Sequence, residues 1–159
     1  MKKENVVLGL LRISLGWIFF WAFIDKLFGL GFATSKEHAW LNGFSPTAGF
    51  LTNAPKGPFA FIYHAMAGSA LVDWLFMLGL LLIGLSLILG IGTRIAAYSG
   101  SSLLLLIWLA VLPPENNPFM DEHIIYVLLL MGLSFFGAGD YLGLGEWWKK
   151  RVKKSKWLV

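Results

Sequence analysis

Asp73-Trp74-Leu75-Phe76-Met77-Leu78-Gly79-Leu80-Leu81-Leu82-Ile83-Gly84-Leu85-Ser86-Leu87-Ile88-Leu89-Gly90-Ile91-Gly92-Thr93-Arg94 places twenty uncharged residues between an acid and a base. At about 1.5 Å per helical residue such a run reaches about 30 Å, the thickness of a bilayer's hydrocarbon core. Small residues recur along it at Gly79, Gly84, Gly90 and Gly92, which lets a neighbouring helix approach closely. The stretch predicts a membrane span over 74–93. Its surroundings repeat the pattern. A third span is predicted over 95–112, closed by Pro113-Pro114, and a fourth over about 119–141. Before it, a first span runs over about 6–30, interrupted by Arg12, Asp25 and Lys26. That first span is too long for a secretory leader, contains Arg12 and lacks a small-x-small cleavage site, so it is read as retained.

Composition agrees. Of 159 residues, 57% are hydrophobic and 14% charged, well under the quarter expected of a soluble domain, and there is no cysteine. Disulfides, thiolate metal sites, iron–sulfur clusters and a dithiol relay on this chain are thereby excluded. The expected fold is an all-α integral membrane protein, a four-helix transmembrane bundle in a single domain.

The net charge of +4 resolves by location. Nine of the thirteen basic residues (Lys2, Lys3, Arg94 and six from Lys149 to Lys156) fall on one side of an even number of spans, against Glu4, Asp140 and Glu146. The positive-inside rule makes that side cytoplasmic, with both termini and a basic tail over 146–159 meeting anionic lipid. The expected location is the plasma membrane, and the basic balance reports topology, with no nucleic-acid partner. The opposite side carries Lys36 and Lys56 against Glu37, Asp73, Glu115, Asp121 and Glu122, together with all three histidines, His38, His64 and His123.

That outer side includes a segment of roughly forty residues, 31–73, long enough to be functional or to cap the bundle. Thr34 with Glu37 fits a capping box whose helix Gly43 would close; Ser45-Pro46 and Gly57-Pro58 look like further helix starts. The segment is therefore expected to form a helical extracytoplasmic lid. Trp40, Phe44, Phe50, Leu51, Phe59, Phe61 and Met66 would lie over the mouth of the bundle. Asn117-Pro118 is expected to cap and open the fourth helix, with Asp121 and Glu122 in its first turn. His123 is surplus to that role. The histidines sit in separate segments without His-x-x-x-His spacing, so no metal site is expected. Within the first span, Arg12 is expected to form a structural ion pair with Asp140 at the same depth, while Asp25 is too short to reach the interface.

Several short motifs converge on one family. Leu11-Arg12-Ile13-Ser14-Leu15-Gly16, Asp25-Lys26-Leu27, Gly90-Ile91-Gly92-Thr93-Arg94-Ile95-Ala96-Ala97 and Asn117-Pro118-Phe119-Met120-Asp121-Glu122-His123 through Gly145-Glu146-Trp147-Trp148 resemble the DoxX/DoxD superfamily, most closely its DoxD-type branch. The resemblance implies a large membrane subunit of thiosulfate:quinone oxidoreductase, with quinone as diffusible electron acceptor and a separate DoxA-like partner; no bound cofactor is identifiable from the sequence. With the outer cluster of ionisable groups, it nominates Asp25, His64, Asp121, Glu122 and His123 as catalytic and Lys26, His38 and Trp40 as substrate-binding. Many such chains carry a glutamate in the second span; here no acid lies between Asp73 and Arg94. A non-catalytic anchor subunit of a redox complex is the alternative, and a homo-oligomeric solute channel is a third.

Overall fold

A computed structural model describes residues 2–152, so Lys153, Lys154 and Lys156 of the basic tail lie outside the described residues. The described chain is all-helical. Three helices are long and apolar enough to cross a membrane: α1 (Lys3–Phe28), α4 (Ala70–Leu89) and α5 (Thr93–Ala110), with mean hydropathies of 2.0, 2.3 and 1.3. Between α1 and α4 lie two 3-10 turns, Lys36–His38 and Trp40–Asn42, then α2 (Ala48–Asn53), a 3-10 turn at Gly57–Phe59 and α3 (Ala60–Met66). After α5 come α6 (Glu122–Phe135), a 3-10 turn at Ala138–Asp140 and α7 (Gly145–Arg151).

The stretch expected as a fourth span, about 119–141, does not form a helix long enough to count among the three that can cross a membrane. Helix α6 has 14 residues, about 21 Å, because Asn117 does not cap it. The Asn117 carboxamide oxygen accepts instead from the Phe119 and Met120 amides, at 2.9 and 2.8 Å, in a turn of its own. Asp121 takes over as N-cap, its side chain accepting from the His123 amide at 3.0 Å.

Helix α1 packs along α4 and α5 along α6. Gly84 makes the first pairing close: a Cβ there would come within 2.7 Å of the Phe20 amide nitrogen. Around that seam Leu15, Phe19, Met77, Leu80, Ile83, Leu87, Leu104 and Leu130 form the core, all under a tenth exposed. Many remaining large apolar residues are exposed, such as Leu82 at 60% and Leu128 at 62%, as lipid-facing positions require.

At the termini end, the Arg12–Asp140 pair does not form. Arg12 is wholly buried, and its guanidinium donates only to backbone oxygens: Nε to Ala138 O at 3.0 Å, Nη1 to Leu87 O and to Ile88 O at 3.0 Å, and Nη2 to Tyr141 O and Leu142 O at 3.0 and 3.1 Å. The reason is local. The last carbonyls of a helix have no intrahelical donor and carry the negative end of its dipole, so the end of α4 and the turn after α6 solvate the cation without a carboxylate. Asp140 pairs with Lys149 instead.

The lid forms, but from shorter pieces than the capping signals suggest. Thr34 is not a helix cap; the chain turns through Ser35, and Gly43 closes the second 3-10 turn at φ 84°. The lid is fastened to α4 and α5 at three places. Ser45 and Thr47 hydroxyls donate to Asp73 of α4 at 2.8 and 2.6 Å, the Lys56 amide donates to Ala110 O of α5 at 2.9 Å, and the Tyr63 hydroxyl donates to Leu106 O at 2.7 Å.

Candidate functional site

Under the lid, α2 and α3 do not seat flush on α4 and α5. Phe59, Ile62, Tyr63 and Met66 recur at i, i+3, i+4 and i+7, the spacing of one helical face, and that face roofs a cavity of about 540 Å³ floored by residues of α4 and α5. Leu75 and Leu106 line it and are 64% and 54% exposed, so the cavity opens sideways toward lipid. Its polar groups are few. Thr47 and Tyr63 have already given their hydroxyl protons to Asp73 and Leu106 O. Lys26 is the one charged residue of the lining, its Nζ 6.0 Å from the Phe76 ring centroid. An apolar enclosure with one cationic donor suits a molecule with a greasy body and a hydrogen-bond-accepting head. Burial pushes the Tyr63 phenol above its ordinary value, so it stays a neutral donor at physiological pH.

Asp25, the neighbour of Lys26, faces elsewhere. It is buried, and its two oxygens accept from the Phe32 amide at 3.3 Å and the Ala33 amide at 2.9 Å. Its carboxylate ties the start of the lid to the end of α1, which answers its short reach inside a span. Trp40 is half-buried against the core, edge-on to Trp74 at 4.7 Å. His38 is exposed, hydrogen-bonded to Ser35 Oγ at 2.8 Å and edge-on to Phe44. His64 is exposed on α3. Neither His38, Trp40 nor His64 lines the cavity.

A second hollow, about 630 Å³, lies beyond the α5 end, lined by Lys56, Glu115, Asn117, Asp121, Glu122 and His123 among others. Here the expected residues do gather. His123 Nδ1 lies 2.8 Å from Asp121 Oδ2, and the candidate ligand atoms of Asp121, Glu122 and His123 fall within 4.8 Å of one another. Asp121, however, is already the cap of α6, and Lys56 sits 3.5 Å from Glu115 across an exposed contact. One lysine among three carboxylates leaves the hollow negative, which disfavours a sulfur dianion. The Glu37 carboxyl, exposed on the lid, is held below its usual range chiefly by its own backbone amide and by Ser35.

The three histidines thus share an end of the molecule but not a site; only His123 joins the acids. The apolar cavity was missed as a site, although the periodicity of 59–66 carries its signal.

Among known proteins, the family model described as DoxX matches residues 7–113. That range contains the whole lining of the apolar cavity, from Lys26 to Leu109, and excludes Asp121, Glu122 and His123. No curated protein matches the chain, and no solved structure does.

Proposed function

Because the chain belongs to the DoxX family, we propose that it is the quinone-binding membrane subunit of an oxidoreductase fed by thiosulfate or a related small sulfur anion on the lid side. The observation that carries this is the cavity under the lid, which opens to lipid and holds one ammonium group among apolar walls. A quinone ring and the first units of its tail suit such walls, and Lys26 would donate to a ring carbonyl. In this reading two thiosulfate ions each lose one electron and join through a new sulfur–sulfur bond as tetrathionate. The quinone takes up those two electrons and two protons and leaves as quinol.

The negative outer hollow argues against sulfur chemistry beside His123, so the reading places the anion on a separate DoxA-like subunit and gives this chain the acceptor. His123 with Asp121 then serves as a proton-exchanging pair rather than an anion site. The resemblance to the DoxD-type branch, a plasma-membrane location and cytoplasmic termini belong to the same proposal, as does surrounding lipid or a second copy as neighbour.

The test uses full-length protein in lipid nanodiscs with thiosulfate, a short-tailed quinone analogue and the DoxA-like partner. Thiosulfate-dependent quinone reduction is expected, and Lys26→Met should raise the KM for quinone roughly tenfold. No quinone binding or reduction in the wild type would overturn the reading.

A non-catalytic anchor subunit is the second reading, and a specific observation favours it: the carboxylates of Asp25, Asp73 and Asp121 are all engaged in holding backbone amides or lid hydroxyls. A co-purifying redox chain together with quinone affinity unaltered by Lys26→Met would support it.

A further inference from the structure

Helix α3, the roof of the apolar cavity, is nearly bare. Of its residues only Tyr63 is buried, and Phe61 and Ile62 are 70% and 45% exposed. A helix of seven residues is too short to hold itself in water, and one buried side chain does not offset the cost of ordering it. Apolar surroundings must supply the remaining burial. We propose that α3 lies in the lid-side leaflet as an interfacial helix, its exposed face covered by lipid acyl chains, so that only the first half of the lid, about 34–45, stands in water.

Charge, depth and continuity each point to lipid. No Asp, Glu, Lys or Arg occurs over 57–72. The charges that flank this run stay clear of it. Lys56 is held at the end of α5, its amide donating to Ala110 O at 2.9 Å, and Asp73 is buried and accepts from the Ser45 and Thr47 hydroxyls. The first half of the lid differs, with Lys36, Glu37 and His38 all exposed. His64 is the one polar side chain on the exposed surface of α3, and it lies across the helix from the cavity-lining Ile62 and Met66. An imidazole there has an apolar body for the acyl boundary and a polar tip for the headgroups.

The depth follows from the anchor. The Tyr63 hydroxyl meets Leu106 O at 2.7 Å, and Leu106 stands about one turn, or about 6 Å, inside the last residue of α5, Ala110. Helix α5 has 18 residues, about 27 Å, close to the thickness of a hydrocarbon core. With α5 filling that core, α3 sits within the depth of about 5–10 Å at which interfacial helices lie. The surface is also continuous with one that faces lipid already. On α4, Leu71, Leu75, Leu78 and Leu82 form one exposed stripe, and Leu75 also lines the cavity with Ile62 and Met66. A soluble partner would find no polar side chain on α3 to recognise except His64. The placement needs no guest in the cavity, so it is independent of the quinone reading.

The chain has no cysteine, so single nitroxide-labelled cysteines each report one position. Full-length protein in phosphatidylcholine nanodiscs carries Phe61→Cys or, one turn along the same face, Ala65→Cys. Electron paramagnetic resonance then measures collisions with oxygen, which concentrates among acyl chains, and with a neutral nickel chelate, which stays in water. Leu82→Cys serves as the lipid reference and Glu37→Cys as the water reference, and unfolding midpoints check that each labelled protein is folded. The oxygen-to-nickel collision ratio is expected to be roughly tenfold higher at positions 61 and 65 than at 37, and to approach that at 82. Nickel access at 61 and 65 as high as at 37 would put α3 in water and overturn the proposal. Labels shielded from both reagents would assign the face to a protein neighbour, a second copy included, and overturn it equally.

Discussion

The two ends of this bundle handle buried polarity in opposite ways. At the termini end a single cation is gripped by five backbone oxygens drawn from α4 and from the chain after α6, with backbones close enough that a Cβ at Gly90 would lie 2.6 Å from Gly139 O. At the lid end hydroxyls and backbone amides of the lid donate to carboxylates and carbonyls at separate points, and a large apolar volume remains between them. One end is built for rigidity. The other keeps space for a guest and fastens its cover with separate bonds that each contribute about 1–3 kcal/mol.

The contrast breaks if the termini end proves dispensable. Arg12→Met leaves five carbonyls without their donor, and each buried unsatisfied acceptor costs on the order of 1 kcal/mol or more. A loss of at least about 3 kcal/mol is expected, read as a large fall in the unfolding midpoint in detergent. An unchanged midpoint would show that the hub carries no stability. Gly84→Val comes next. It forces a Cβ against the α1 backbone and is expected to cost about 1–3 kcal/mol by the same measurement.

At the lid end effects should be smaller and more functional. Tyr63→Phe removes the bond to Leu106 O and is expected to cost about 1 kcal/mol in stability while loosening the cavity roof. Its pH signature has a definite sign. The folded phenol's pKa lies above the ordinary value near 10, so the folded state favours the protonated form. The associated stability is fully present below about pH 10 and is lost above it, as the unfolded chain ionises first. Unfolding midpoints against pH should therefore fall above about pH 10, less so in Tyr63→Phe. The smallest effect belongs to Lys56→Gln. Its pair with Glu115 is exposed, and a change within about 0.5 kcal/mol is expected, with any larger loss showing that the lid's rim is stiffer than its contacts imply.

The spans were legible because lipid demands a long apolar run, and no competing signal fills 74–93. The lid, too, was legible as ordered from its helix-start residues. What escaped was everything that depends on backbone atoms. Pairing Arg12 with Asp140 matched charges at equal depth, but the sequence does not display the free carbonyls at helix ends that outcompete a carboxylate. Asn117 and Asp121, four residues apart, are both good caps; only the turn closed on Asn117 decides that the helix waits for Asp121. Thr34 and Glu37 satisfied a spacing rule that the 3-10 turns preclude. At the site, gathering His38, His64 and His123 by compartment was right about the end of the molecule and silent about distance. The cavity arises from a mismatch of surfaces, which no single residue announces.

The sequence distance spanned by the Arg12 hub bears on how the protein is made. Its acceptors lie 75 to 130 residues downstream, so when the first helix leaves the ribosome none of them exists. Until then the guanidinium must find water or lipid phosphate at the bilayer edge, and the nascent helix must sit high enough to allow it. Two acceptors arrive with the end of α4, and the last three only once residue 142 has been added. A chain interrupted before that point would expose a poorly satisfied charge in its first helix, a defect that membrane quality control can recognise. The same arginine that locks the finished bundle is thus fully satisfied only once the chain as far as residue 142 has joined it.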